Sequence, residues 1–437
     1  MTETGNEITT ARGKSRSPWS WIPSLYLAEG LPYVVIMTVS VIMYKRLEIS
    51  NTEIALYTSW LYLPWVIKPL WSPFVDLIKT KRLWVVAMQL LIGGGLAGVA
   101  LTVPTGNFFQ YSLAFLWLMA FSSATHDIAA DGFYMLGLSS HDQAWFVGIR
   151  STFYRLAMLA GQGLLVMLAG YLEVSTGSIP VAWSVIFFVL AGVFVGFALL
   201  HYWSLPHPEE DVPKPYTSMA DVWAGFYETF RSFFQKPGIG LILAFLLFYR
   251  FAEAQLVKMA SPFLLDERAV GGLGLSTGEV GFVYGTVGLL ALTVGGILGG
   301  MAAAKSGLKA WLWWMVAAIN LPNAVYILLS WTAPESFWVV NVAVAVEQFG
   351  YGFGFTAYML YMIYVADGPN KTSHFAICTG FMALGMMLPG MVSGMIQESL
   401  GYEWFFVWVL LATIPGFIVS GLVPLDAEFG KSENPAG

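Results

Sequence analysis

Charged residues are scarce in this chain of 437 residues. Only 11% of its residues are Asp, Glu, Lys or Arg, whereas soluble globular proteins carry about 25%. The net charge of -6 provides no basic surface, which excludes nucleic acid as a partner. Cysteine is nearly absent as well. Cys378 is the only one, so an intramolecular disulfide is excluded and a small apolar residue within a helix is expected.

The chain also lacks the residue groupings that enzymes and metalloproteins need. It has no cluster of metal-ligand residues and no nucleophile beside a base, so we expect no metal, no cofactor and no catalysis. A membrane-embedded glycan or acyl transferase is the enzymatic alternative, and product formation by the purified protein would reveal it.

Hydrophobic residues make up 57% of the chain and give a mean hydropathy of +0.67. They fall in blocks of about 20 residues or more, the length at which a helix crosses the hydrocarbon core. We predict an all-α membrane protein with twelve transmembrane helices in two pseudo-symmetric six-helix halves. The predicted domains are an N-terminal tail (1–20), a first bundle (21–205), a linker with an amphipathic helix (206–238), a second bundle (239–424) and a C-terminal tail (425–437).

Lysine and arginine in the short loops set the expected orientation. Most of them lie in the two tails, in the linker and in loops on the same side of the membrane. Only Lys45, Arg46 and Arg268 lie in loops on the other side. Both termini and the linker are therefore expected in the cytoplasm.

Four charges lie on the two apolar helices predicted at 107–138 and 144–171. Asp131 and Arg150 are about equally far from the connecting turn, as are Asp127 and Arg155, so two ion pairs across the hairpin are predicted. The two arginines are five residues apart and point roughly 140° away from each other. We therefore expect one to pair within the half and Arg155 to face a cavity. The hairpin would then either take part in substrate binding and proton coupling or lock the two helices together structurally.

Glu29 lies beside Gly30 and Pro32, which weaken the helix of the first predicted span. A carboxylate beside a broken helix inside the membrane is a candidate proton carrier. The alternative is an ion pair with Lys68 or with an arginine.

The second half has its own charges within the predicted spans. Arg250 and Glu253 are three residues apart and could neutralise each other, whereas Glu347 has no partner nearby in sequence and is the better candidate for substrate or proton. Lys258 is expected to extend toward the far membrane surface. Four tyrosines near these charges could stack on a sugar ring or simply pack: Tyr154, Tyr249, Tyr351 and Tyr358.

The two halves are weakly similar in sequence. Residues 26–29 (Tyr-Leu-Ala-Glu) match residues 250–253 (Arg-Phe-Ala-Glu). Repeated six-span halves around a long linker suggest a major facilitator transporter with its site between the halves. Asp76, Lys81 and Arg82 resemble the gating motif in that superfamily's second loop, although its usual glycine is missing. Residues 295–300 contain two overlapping small-xxx-small pairs, which predict close helix packing.

Further motifs resemble those of the AmpG-type muropeptide permeases and their relatives, the acetyl-coenzyme A transporters. The matching segments are 29–32, 68–73 with Asp76, 127–131, 154–158, 278–281 and 347–352, which together cover nearly all of the membrane region. The paired aspartates and the Tyr-Arg-Leu run at 154–156 are the most specific. The resemblance implies proton-driven import of cell-wall fragments across an inner membrane, for peptidoglycan recycling.

We therefore expect a monomeric secondary transporter that carries a muropeptide together with protons through the lipid bilayer. Arg155 and Arg250 would hold the anionic solute, a proton would sit on Glu29, Asp127, Asp131 or Glu347, and Arg150 and Glu253 complete the candidate site. The alternatives are import of another disaccharide, oligosaccharide or siderophore, and a transport-fold sensor that binds without turnover.

Overall fold

The computed structural model describes residues 16–212, 219–368 and 370–431. Within these ranges it describes all side chains except those of residues 73, 76, 77, 140, 141, 144, 147 and 219–222. The described residues form helices joined by short loops, and no strand occurs among them. This confirms the predicted all-α membrane fold.

The first half contains six helical spans. They are Pro18–Arg46, a second span made of Asn51–Trp60 and Leu63–Leu77, Lys81–Thr102, Phe108–Gly137, a fifth span over 140–176, and Ile179–Ser204. The second half contains Ile239–Leu265, Thr277–Ser306, Leu308–Thr332, Phe337–Ala366, and two spans over 371–400 and 402–422. We call the bundle face at which the linker leaves the sixth span the terminal face, and the other one the opposite face.

By length and composition, nine helices of the described residues could cross a membrane. One of these nine, Lys371–Leu422, is 52 residues long and contains the last two spans. Gly401 separates them, because its φ of 73° lies in the left-handed region and turns the chain.

Three spans change to π-helix inside the bundle. The first does so at Val35–Val39, shortly after Pro32, and the fifth and eighth do so at Leu159–Leu165 and Gly281–Gly288. The π segments of the fifth and eighth spans touch, and a Cβ added at Gly285 would lie 2.1 Å from the Gln162 carbonyl oxygen. The two halves therefore meet closely where their helices are irregular, a form that often accompanies functional sites.

Of the two glycine pairs in the eighth span, one packs tightly against the tenth span and the other does not. A Cβ at Gly295 would lie 2.1 Å from the Phe349 carbonyl oxygen of the tenth span, and one at Gly299 would lie 2.7 Å from that of Phe353. Nothing lies within 4 Å of a Cβ built at Gly300. Only the first of the two predicted small-xxx-small pairs thus forms a tight helix contact.

Gly295→Val is expected to destabilise the protein by about 1 to 3 kcal/mol, because the added methyl groups collide with the backbone of the tenth span. Gly300→Val is the matched control on the same helix and should change stability by less than about 0.5 kcal/mol. Thermal unfolding of both variants in detergent measures the difference. Equal unfolding temperatures would contradict this packing.

The linker contains the predicted amphipathic helix, at Met219–Phe234. Phe226, Phe230 and Phe234 follow one another along it with ring centroids 4.5 and 6.4 Å apart. Phe233, one residue before Phe234, is fully buried and packs against His374 at the start of the eleventh span. The helix is therefore anchored to the second half by Phe233.

Candidate functional site

The hairpin of the fourth and fifth spans contains one of its two predicted ion pairs. Arg150 Nη2 lies 2.8 Å from Asp131 Oδ1, as depth matching predicts. The Tyr26 hydroxyl donates to the same oxygen at 3.3 Å. The guanidinium carbon of Arg150 lies 4.5 Å from the centroid of the Tyr26 ring and 5.1 Å from that of Tyr134. Arg150 is thus held by one acid and two aromatic faces.

The predicted pairing of Asp127 with Arg155 is wrong. Asp127 Oδ2 accepts from the Nζ of Lys68 in the second span, and the two form an ion pair. Arg155 is exposed and bonds to no side chain among the described residues. The reason is the five-residue spacing of the arginines, which turns Arg155 away from the face that Arg150 presents to the fourth span.

Glu29 lies close to both ion pairs but belongs to neither. Its side chain is 8% exposed, and its Oε2 has no hydrogen-bond partner. The charges that act on it are those of Asp131, Asp127, Arg150 and Lys68. The suggested Glu29–Lys68 ion pair is therefore not formed. We call these five residues the acid–base cluster.

The backbone of the first span approaches the fifth span beside Glu29. A Cβ at Gly30 would lie 2.8 Å from the Ala157 Cβ and 3.0 Å from the Tyr154 carbonyl oxygen. This close approach needs glycine at position 30. Tyr154, a predicted substrate contact, lies at the same crossing.

In the second half, Arg250 sits at a helix break in the seventh span. Its φ of -109° and ψ of 19° separate Ile239–Phe248 from Phe251–Leu265. Its Nη2 donates to the Tyr351 hydroxyl at 2.6 Å, and its guanidinium carbon lies 4.9 Å from the centroid of the Phe355 ring. Arg250 and Glu253 form no direct ion pair, although each charge acts on the other.

The second half contains two deeply buried glutamates, Glu253 and Glu347. Glu253 is 1% exposed and its Oε2 has no hydrogen-bond partner. Glu347 is 2% exposed and accepts from Gln348 Nε2 at 3.0 Å. The Glu253 charge acts on Glu347. Two carboxylates this deeply buried are costly when both are ionised, so the pair is a candidate second place for a proton.

Two of the predicted aromatic contacts have packing roles. The Tyr249 hydroxyl donates to the Gly354 carbonyl oxygen at 2.8 Å, and the Tyr358 hydroxyl donates to that of Leu246 at 2.5 Å. Both side chains are buried. Tyr351, bonded to Arg250, stays a predicted substrate contact.

Two groups of residues were missed by the sequence reasoning. Tyr33 and Trp65 of the first and second spans form an edge-to-face pair with centroids 5.4 Å apart. Behind the cluster, a buried hydrogen-bonded chain joins four spans of the first half, with 2.9 Å at each link: Ser24, His201, Gln89 and His126. Isolated polar residues on apolar helices were the available signal.

The predicted gating motif lies at the start of the third span. Asp211 of the linker is buried and accepts from the backbone N–H of Lys81 at 2.7 Å and of Arg82 at 3.1 Å. Arg82 also donates to the Tyr202 carbonyl oxygen. The side chain of Asp76 lies outside the described residues. The linker therefore caps this helix, and the gating role stays a prediction.

A ring of polar contacts joins the two halves at the opposite face. Lys45 Nζ lies 2.6 Å from Asp266 Oδ1 and donates to Asn51 Oδ1 at 2.9 Å. Asn51 donates to the Tyr402 hydroxyl at 2.9 Å, and this hydroxyl donates to Asp266 at 2.6 Å. Lys45 and Asn51 belong to the first half, and the other two to the second.

A second contact across the halves lies next to this ring. Glu173 of the fifth span pairs with Arg46 at 3.0 Å and accepts from the Trp183 ring N–H at 2.9 Å. It also accepts from Thr277 of the eighth span at 2.7 Å. Together with the ring, these contacts join the two halves at the opposite face.

Asp266→Asn is expected to open the opposite face, because it removes the charge that joins Lys45 to Tyr402. A cysteine introduced at Ser393, which is fully buried on the eleventh span, would report this in a Cys378→Ser background. Labelling by a membrane-impermeant thiol reagent from that face should accelerate by about tenfold, since charged hydrogen bonds contribute about 1.5 to 3 kcal/mol. Glu335→Gln, at an exposed acid, is the control. Unchanged labelling in Asp266→Asn would contradict the role of the ring.

Membrane-spanning helices in two halves, with charged residues between the helices, are typical of secondary transporters. The chain belongs to the Major Facilitator Superfamily, whose sequence model matches residues 24–373. It is therefore an integral membrane protein of a transporter family.

Relatives in sequence include permeases of the type that the motifs indicated. The anhydromuropeptide permease of Escherichia coli K12 is 27% identical over 360 residues, which cover 81% of this chain and 69% of that protein. The putative transporter AmpG 4 of Rickettsia felis is 24% identical over 410 residues, covering 90% and 94% of the two chains. The resemblance to AmpG-type transporters is thus confirmed.

Solved structures of transporters share the fold. A D-xylose-proton symporter matches with a TM-score of 0.66 at 14% identity, covering 95% of this chain and 99% of that one. A bacterial homologue of the human lysosomal transporter Spinster, in an inward-facing conformation, matches with a TM-score of 0.64 at 17% identity, covering 92% and 95%. At these identities the likeness concerns the fold alone.

Proposed function

We propose that the protein is a proton-coupled symporter that imports a muropeptide, an amino-sugar disaccharide with or without peptide, across the inner membrane. The sequence relatives named as anhydromuropeptide permease and AmpG transporters support the substrate class. The acid–base cluster and Arg250 support the coupling and the binding of an anionic solute.

The observation that carries the proton coupling is the balance of charges in the acid–base cluster. Three carboxylates face two bases, and each base is already paired, Arg150 with Asp131 and Lys68 with Asp127. Glu29 is the acid left over. One unpaired charge inside a membrane costs on the order of 3 kcal/mol, so a proton on Glu29 stabilises the cluster. Loss of that proton then becomes favourable when a conformational change brings water or another cation to Glu29.

Arg250 supports recognition of an anion. Its side chain is 8% exposed, its Nε has no hydrogen-bond partner, and its nearest polar contact is the neutral Tyr351 hydroxyl. Guanidinium binds carboxylate with two parallel hydrogen bonds. In the disaccharide without peptide the lactyl carboxylate provides such a group, and the rings of Tyr351 and Phe355 offer a surface for the sugar. Arg155 is exposed and is available as a further ligand.

The loop charges orient the terminal face toward the cytoplasm. The closed ring at the opposite face then represents a state in which access from outside is blocked.

A binding screen followed by transport tests this proposal. The purified protein is screened by thermal shift against muropeptides, chitobiose-like disaccharides and siderophores, and each hit is assayed for uptake into proteoliposomes. We expect muropeptides to stabilise the protein and to be transported. Stabilisation without flux would favour a sensor, and flux of a siderophore alone would overturn the substrate class.

A further inference from the structure

Lys258 lies inside the bundle, whereas a lysine in a membrane span usually extends to the membrane surface. It lies in the seventh span, is 2% exposed, and does not extend to the membrane surface as expected. Its Nζ donates to the Thr58 hydroxyl of the second span at 2.9 Å. Since Thr58 belongs to the first half and Lys258 to the second, this contact bridges the two halves inside the membrane.

Among the residues that the structure describes, no carboxylate pairs with Lys258. Its other contact is the Tyr62 ring, whose centroid lies 5.4 Å from Nζ. A buried ammonium without a paired anion is costly, and one hydroxyl with one aromatic face compensates only part of that cost.

The surroundings of Lys258 provide another unused polar group. Ser59 is buried, and its hydroxyl has no hydrogen-bond partner. A Cβ at Gly390 of the eleventh span would lie 2.7 Å from this hydroxyl oxygen and 3.4 Å from Lys258 Cγ. The second, seventh and eleventh spans therefore meet closely at Lys258, beside Gly390.

We propose that Lys258 is a second binding site for the anionic group of the solute, used when the opposite face is open. Separation of the second span from the seventh removes Thr58, and a carboxylate of the solute takes its place on the ammonium. Arg250 lies eight residues earlier, about 12 Å along the helix toward the terminal face. The Tyr62 ring lies against Lys258, with its centroid 5.4 Å from Nζ. The anion thus has two successive positions on the seventh span.

The inference rests on the proposed function and is tested with the full-length protein. Calorimetry compares the N-acetylglucosaminyl-anhydro-N-acetylmuramic acid disaccharide, which carries a free carboxylate, with its uncharged methyl ester. The wild type should bind the acid about tenfold more tightly, as expected for a charged hydrogen bond. Lys258→Gln should reduce this preference by at least about threefold, whereas Lys309→Gln, at an exposed lysine, should leave it unchanged.

Thr58→Val provides a readout of opposite sign that does not depend on removing the lysine. Loss of the hydroxyl destabilises the closed state and frees the ammonium, so affinity for the acid should rise while affinity for the ester changes less. A wild-type preference retained in Lys258→Gln, or equal changes for acid and ester in Thr58→Val, would overturn the inference alone. Failure of the wild type to bind either compound would overturn both the inference and the proposed function.

Discussion

Glu29→Gln is expected to abolish accumulation of the solute against its gradient while exchange of labelled solute across the membrane persists. Glutamine reproduces the shape of the protonated acid but releases no proton, so accumulation in proteoliposomes with an imposed pH gradient should fall by roughly tenfold or more. Exchange needs no net proton movement and should stay within about twofold of the wild type.

Glu335→Gln serves as the matched control, because it removes the charge of an exposed glutamate outside the acid–base cluster. Normal accumulation of solute by Glu29→Gln would show that another acid carries the proton. Glu347, which is deeply buried in the second half, would then be the next candidate.

The second large effect concerns the ion pair between Lys68 and Asp127. Both side chains are mostly buried, with 23% and 22% of their surface exposed. Asp127→Asn and Lys68→Gln each leave one charge without its partner, and each should destabilise the protein by about 2 to 4 kcal/mol, somewhat less than a fully buried pair. The double variant should lose no more than half of the summed stability loss of the two single variants. Thermal unfolding of all three variants measures this non-additivity.

Arg155→Gln provides the control for this cycle. It removes a cation that the hairpin geometry alone would assign to Asp127, yet it should combine additively with Asp127→Asn. Coupling of Asp127 to Arg155 that exceeds its coupling to Lys68 would contradict the observed pairing.

The sequence was sufficient for the spans and for one ion pair. Blocks of apolar residues located the helices, and distance from the connecting turn placed Arg150 opposite Asp131, because both residues belong to the same hairpin. Sequence spacing is a reliable guide when the chain itself determines which groups meet.

Contacts between spans that are distant in sequence could not be obtained this way. Lys68 reaches Asp127 from the second span, and Lys258 reaches Thr58 from the other half. Such pairs depend on how the helices rotate and cross, which a single sequence does not specify. For the same reason, the sequence could not distinguish Gly295 from Gly300. Both fit the small-xxx-small pattern, yet of these two only Gly295 faces the tenth span.

The central claim is that a proton held by the acid–base cluster moves with the solute. The most direct measurement uses proteoliposomes with the wild-type protein and no imposed pH gradient, with a pH-sensitive dye in the external medium. Addition of a solute gradient of the muropeptide disaccharide should make the external medium more alkaline as the solute enters, and Glu29→Gln should remove this signal. Solute entry at the normal rate with no change in external pH would contradict the account.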